Sequence, residues 1–151
     1  MYHFNSLYKD DYQKSTGLLF ARVYNNWHSQ IKKELQKLQL THPQFIILAS
    51  VAALEEQGDL VSQIRLASFS DMDVMTVSQV VKLLLKKKLV ERREHPKDSR
   101  SKIVSLSESG FSILNRALPL VEAVDQEFFG KLDQNLLEFN QWLMDLEEKN
   151  S

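Results

Sequence analysis

One pair of strand-like runs stands alone in a chain otherwise written in helical spacing. Val90–Glu94 and Lys102–Leu106 read as short strands joined by His95-Pro96-Lys97-Asp98-Ser99-Arg100-Ser101, which predicts a hairpin with a seven-residue polar tip. Elsewhere apolar residues recur every three to four positions, and only four glycines and three prolines interrupt the 151 residues. The fold class that follows is mainly α with a single small β-hairpin.

Capping residues mark where the helices begin. After a mixed, aromatic-rich arm of about 14 residues, Ser15 or Thr16 starts a long helix to about Leu38. Its apolar stripe is Phe20, Val23, Tyr24, Trp27, Ile31, Leu35 and Leu38. Thr41-His42-Pro43-Gln44 is a capping box with proline in the first turn, opening a buried helix that ends near Gly58. Ser62 caps a short helix to about Phe69. Asp73 caps a third, to about Lys87, with Val77, Val80, Val81, Leu84 and Leu85 on its buried side. Ser107 starts a long helix to about Phe129, in which Pro119 predicts a kink or break. Asp133 is expected to cap a last amphipathic helix carrying Leu136, Leu137, Leu143 and Leu146.

A chain of this length reads as one domain able to bury a core without staples. It contains no cysteine, which excludes disulfide frameworks, thiolate metal sites, cysteine nucleophiles and thiol redox sensing. His3, His28, His42 and His95 include no pair at i,i+4 spacing, so no metal site and no cofactor are expected. No nucleophile–base set, glycine-rich phosphate loop or carboxylate pair points to an enzyme. The longest apolar run, Phe45 to Leu54 broken only by Ser50, is too short to span a membrane. Met1-Tyr2-His3-Phe4 lacks the basic and apolar regions of a secretory signal, so a cytoplasmic location is expected.

The net charge of −1 hides a sharp asymmetry. Residues 82–102 hold nine Lys/Arg against three acids, leaving ten basic and seventeen acidic residues for the rest. A basic patch on an acidic body is what attraction to phosphates requires.

The order short helix, tight turn, second helix and basic hairpin describes a winged helix-turn-helix. In such a unit the second helix enters the major groove of double-stranded DNA with its N-terminal residues at base edges. Here that half reads Asp73-Val74-Met75-Thr76-Val77-Ser78-Gln79, small and hydrogen-bonding on its expected outer face. Thr76 and Ser78 can bond to bases or phosphates, or only cap and pack. Gln79 has the donor and acceptor pair for adenine N6 and N7. Lys82, Lys86 and Lys87 suit flanking phosphates. On the hairpin, Lys97 adds a cation, and Arg100 can enter the minor groove with its guanidinium held by Asp98. Arg65, on the preceding helix, fits a phosphate contact or bare surface equally.

The stretch Leu40 to Gly110 resembles the MarR family (multiple-antibiotic-resistance regulators). The matching pieces are Leu40-Thr41-His42-Pro43-Gln44-Phe45, Thr76-Val77-Ser78-Gln79, Leu89-Val90-Glu91-Arg92, Asp98-Ser99-Arg100 and Leu106-Ser107-Glu108-Ser109-Gly110. The resemblance implies a homodimer with interlocking long terminal helices, two winged lobes on a palindromic operator, and commonly a repressor released by a small ligand. The chain then divides into an arm and dimerisation helix (1–40), a DNA-binding lobe (41–106) and C-terminal dimerisation helices (107–151) of one intertwined domain. The implied effector is a small aromatic acid or phenol near Trp27, His28 and His42, although His28 and His42 also read as cap-region or interface histidines; Phe20, Tyr24 and Trp27 read as interhelical core.

Two positions depart from the family pattern. Lys88 stands where glycine is usual, at a cost of order 1 kcal/mol if it is left-handed. Gln79 stands where many members carry arginine, which shifts the base preference. The competing class is a winged-helix module for protein assembly, which has no use for nine clustered cations.

Overall fold

The computed structural model describes residues 4–151; His3, weighed above as a metal ligand, lies outside the described residues. Six α-helices and one hairpin follow in order: α1 (Thr16–Gln36), α2 (His42–Glu56), α3 (Gln63–Ser70), α4 (Val74–Lys86), β1 (Val90–His95), β2 (Asp98–Leu106), α5 (Glu108–Phe129) and α6 (Leu136–Asn150). They form two compact units, one of Lys32–Glu122 and one of the chain through Ile31 with Ala123–Ser151.

The capping residues of the first five helices fall where the sequence places them. Ser15 Oγ accepts the Leu18 N–H at 3.4 Å. Thr41 and Gln44 close a reciprocal capping box, 3.2 Å each way. Ser62 accepts from the Arg65 N–H at 3.1 Å. These contacts satisfy helix N–H groups that have no partner within the helix. In the Lys32–Glu122 unit, Ile47, Leu48, Val51 and Leu54 of α2 meet Leu66, Val77, Val81 and Leu84 in a core sealed from solvent. Leu38 and Leu85, expected on buried stripes, are half-buried at its margin.

Four helix ends in succession are closed by a left-handed residue: Gln39, Gly58, Asp71 and Lys88. After α4, the Lys88 N–H donates to the Leu85 carbonyl and the Leu89 N–H to the Leu84 carbonyl, both at 3.0 Å. Leu84 and Leu89 are both buried, which completes a Schellman motif. Lys88 has φ +59, so the expected left-handed conformation is present in a residue with a Cβ. Lys88→Gly should relieve about 1–2 kcal/mol of steric cost and give back about 0.5–1 kcal/mol to the freer unfolded chain. The expected net gain is about 0.5–1 kcal/mol by denaturant unfolding; a loss of stability would contradict it.

Of the kink or break expected at Pro119, the break does not occur: α5 runs on through the proline. Pro119 and Asn115 are both exposed, so the carbonyl that loses its helical partner lies on the solvent side. Asp133 does not cap α6: it has φ +50 and ψ −124 inside a 3₁₀ stretch, Gly130–Asn135, whereas a cap needs extended backbone. Asn135 precedes α6 and makes no side-chain cap bond.

The unit that includes α6 holds an aromatic cluster. Trp27 Nε1 donates to Asp125 Oδ1 at 2.8 Å, and the Trp27 ring packs 6.2 Å from Phe129, which stacks on Phe139 at 6.1 Å. Of the stripe expected as interhelical core, Trp27 is half-buried, but Phe20 and Tyr24 are exposed within this chain.

Candidate nucleic-acid interface

α3 ends at Ser70 and α4 begins at Val74, so a three-residue turn, Asp71-Met72-Asp73, separates the two helices. Asp73 sets the start of α4 with both carboxylate oxygens. Oδ1 accepts the Thr76 N–H at 2.9 Å and Oδ2 accepts the Thr76 hydroxyl at 2.6 Å. The bond from the Thr76 hydroxyl, helped by the Thr76 N–H, holds the Asp73 carboxyl below its usual range. Thr76 is therefore part of the cap, with only its oxygen lone pairs left to face a ligand. Ser78 is half-buried beside it.

Gln79, Lys82 and Lys86 are exposed and lie at i, i+3 and i+7, along one stripe of α4. They line an open groove of about 530 Å³ with Leu83 and Leu85. Counting back one turn from Gln79 reaches Met75, and the expected small, hydrogen-bonding outer face is wrong at this point. Met75 is 74% exposed and Val74 49% exposed, so the tip of α4 is apolar. The same four-residue spacing, applied from Gln79, would have placed Met75 outward from the sequence.

Lys87 does not belong to the exposed cation row. Its Nζ donates to the Gln39 carbonyl and, at 2.9 Å, to Gln44 Oε1, tying the end of α4 to the α1–α2 corner. Two of the three ammonium N–H donors are thereby engaged within the fold. Arg65 is also held, by Asp59 at 3.2 Å and over the Phe69 ring at 5.8 Å.

The hairpin is tighter than its sequence suggests. His95 pairs with Asp98, so the turn is only Pro96-Lys97, and Asp98, Ser99, Arg100 and Ser101 belong to β2. The register breaks between Glu94, which pairs with Lys102, and His95, leaving Ser99 to Ser101 bulged out of the ladder. Arg100 is thus an exposed strand residue near the turn and not the tip of a loop. Asp98 does not hold its guanidinium: Oδ1 accepts the Arg100 backbone N–H at 3.0 Å, and among the described residues no ion pair joins the two side chains. A carboxylate two residues earlier closes a local turn more readily than it reaches round a long side chain. Lys97 is exposed at the turn, and its N–H donates to His95 Nδ1 at 3.0 Å.

The base of the hairpin is anchored. The Val104 N–H donates to the Val61 carbonyl at 2.8 Å, just before the Ser62 cap of α3. Ser107 Oγ donates to the Lys88 carbonyl at 2.7 Å, and the Gly110 N–H donates to Ser107 Oγ at 3.0 Å. A Cβ on Gly110 would lie 1.8 Å from the Leu89 carbonyl oxygen, so α5 approaches the entry to β1 too closely for a side chain there.

The residues expected to meet an effector sit in different parts of the chain. Trp27 and His28 are on α1, where Tyr24 stacks on His28 with ring centres 5.2 Å apart. His42 is the half-buried first residue of α2.

A helix-turn-helix with an exposed polar and cationic second helix, followed by a basic two-stranded wing, defines the class: a winged-helix DNA-binding protein. Comparison with known proteins agrees. The model of the ArnR1-like winged-helix domain matches residues 32–125. The uncharacterized HTH-type transcriptional regulator YdcH of Bacillus subtilis is 41% identical over 115 residues, covering 76% of this chain and 78% of YdcH. The fold is similar to that of an E. coli MarR mutant complexed with operator DNA, with TM-score 0.77 and 22% identity over 93% of this chain and 97% of that one. It is also similar to BpsR of Bordetella bronchiseptica, with TM-score 0.79 and 24% identity over 98% and 97% of the two chains. The chain belongs to the HTH-type transcriptional regulators that carry an ArnR1-like winged-helix domain, and its fold is that of the MarR structures. Among the described residues no helix is long and apolar enough to cross a membrane.

Proposed function

We propose that the protein is a homodimeric, sequence-specific repressor that binds a palindromic operator in the cytoplasm and is released by a small aromatic acid or phenol. The observation that carries the DNA-binding part is the exposed row Gln79, Lys82 and Lys86 on α4, in the same compact unit as the basic wing. In this reading Gln79 contacts adenine, Ser78 meets the adjoining base or phosphate, the Thr76 hydroxyl oxygen accepts from a base amino group, and Lys82 and Lys86 neutralise flanking phosphates. Arg100 enters the minor groove and Lys97 meets the backbone beside it. Asp98 serves by fixing the bulge that aims Arg100.

The dimer reading rests on apolar surface. α1 exposes Leu18, Leu19, Phe20 and Val23, and α6 exposes Leu137, Trp142, Met144 and Leu146. An isolated soluble chain rarely leaves so much apolar surface in water. The effector reading rests on the aromatic surroundings of Trp27 and His28, with His42 carried as a further contact, and on a neighbour in kind. BpsR is described as regulated in its DNA binding by 6-hydroxynicotinic acid.

Two substitutions separate the roles. Arg100→Ala should weaken binding to any duplex and flatten the log–log salt slope by about one unit per lost phosphate contact. Gln79→Ala should cost about 1–3 kcal/mol on the cognate site and little on random DNA. Titrations of both variants at several salt concentrations check this. An Arg100→Ala protein with full affinity and an unchanged slope would remove the wing from the interface.

A further inference from the structure

We propose that Met75 is a specificity-determining residue that reads the methyl group of a thymine in each half-site. The inference rests on the DNA-binding reading above and adds a base contact to it. The fold itself makes little use of this side chain. Val77, Val81 and Leu84 supply the fully buried face of α4, while Met75 is 74% exposed in its first turn.

Its register is that of the interface. Met75 stands four residues before Gln79 and seven before Lys82, at the head of the same exposed stripe. The head of the second helix is the part of a helix-turn-helix that reaches base edges, whereas its later turns lie nearer the backbone. An exposed methionine at that end meets either water or a base.

Chemistry narrows the base. A thioether donates no hydrogen bond and accepts only weakly, so it cannot read the amino and carbonyl groups that distinguish guanine, cytosine and adenine. The thymine C5-methyl is the apolar feature of the major-groove edge. Methionine is unbranched and polarizable, which lets it follow a methyl whose position shifts with local DNA shape. One helical turn further on, Gln79 addresses a neighbouring pair, so the two residues together favour a half-site with adjacent A·T pairs.

The test uses the full-length protein and a duplex site selected from random DNA, with each thymine replaced singly by deoxyuridine, which lacks only the methyl group. At one thymine per half-site the wild type should lose affinity about fourfold, the worth of one buried methyl group. Met75→Ala should show no penalty at that position, Met75→Leu should retain it, and Gln79→Ala should retain it against a weaker baseline. Met75 is exposed, so its variants should melt with the wild type. A wild type indifferent to every deoxyuridine, or a Met75→Ala protein that keeps the full penalty, overturns the assignment while leaving the DNA-binding reading intact. Failure to select any site overturns both.

Discussion

Gly110→Ala should lower the melting temperature by roughly 6–12 °C, the equivalent of about 3 kcal/mol in a chain of this size. The added Cβ would fall 1.8 Å from the Leu89 carbonyl oxygen, where ordinary contact begins at 3.4 Å. The obstacle is backbone, so no side-chain rotation relieves it. α5 would have to lift from the Lys88-Leu89 corner, and its first turn is fastened there. The Ser107 N–H donates to the Leu89 carbonyl at 3.1 Å, and the Ser107 hydroxyl donates to the Lys88 carbonyl. Lifting the helix strains these bonds and opens the packing of Leu114 and Ala117, both buried on α5. Ser109→Ala, at the exposed neighbouring position, is the control and should melt with the wild type. A shift below about 2 °C for Gly110→Ala would mean that α5 is not seated against this corner.

Replacing Trp142 and Leu146 together by glutamate should turn the proposed dimer into a monomer, with a dissociation constant raised at least about 100-fold. The two residues lie one turn apart on α6, 54% and 60% exposed in the single chain. Covered by a partner they would bury apolar surface; as carboxylates they would carry two charges into the same seam without counter-charges. Because both face solvent in the isolated chain, the helix content by circular dichroism should not change. Binding to a palindromic site should fall with the dimer, since each lobe then meets its half-site alone. Sedimentation showing an unchanged dimer with unchanged DNA affinity would move the subunit contact away from α6.

What could be read before the structure was local. Ser15, Thr41, Ser62, Asp73 and Ser107 each bond an amide within three residues, so the starts of α1 to α5 follow from short stretches of sequence. The wing could not be read the same way. Its polar run looks like one loop, but strand register depends on ladder bonds between β1 and β2, which draw Asp98 to Ser101 into β2.

Asp133 shows the limit of the capping signal: an aspartate before an apolar stripe reads as a cap, yet its φ of +50 and ψ of −124 differ from the extended backbone a capping side chain needs. Lys87 shows the limit of charge counting. Nothing local marks it apart from Lys86, yet its ammonium donates to Gln39 and Gln44, more than forty residues away in sequence. Gly110 was visible as part of a motif, but its reason, the Leu89 carbonyl, lies across a tertiary contact. Met75 was legible by helical spacing alone and was masked by the polar residues around it.

Selection of bound sequences from random duplex DNA, followed by a salt titration on the winning site, bears most directly on the regulator reading. The expected result is an inverted repeat with half-sites about one helical turn, roughly 10 bp, apart. Affinity should fall steeply and linearly in log–log form as salt rises, the mark of phosphates neutralised by Lys82, Lys86 and the wing cations. Enrichment of no sequence, or binding that is indifferent to salt, would contradict the account.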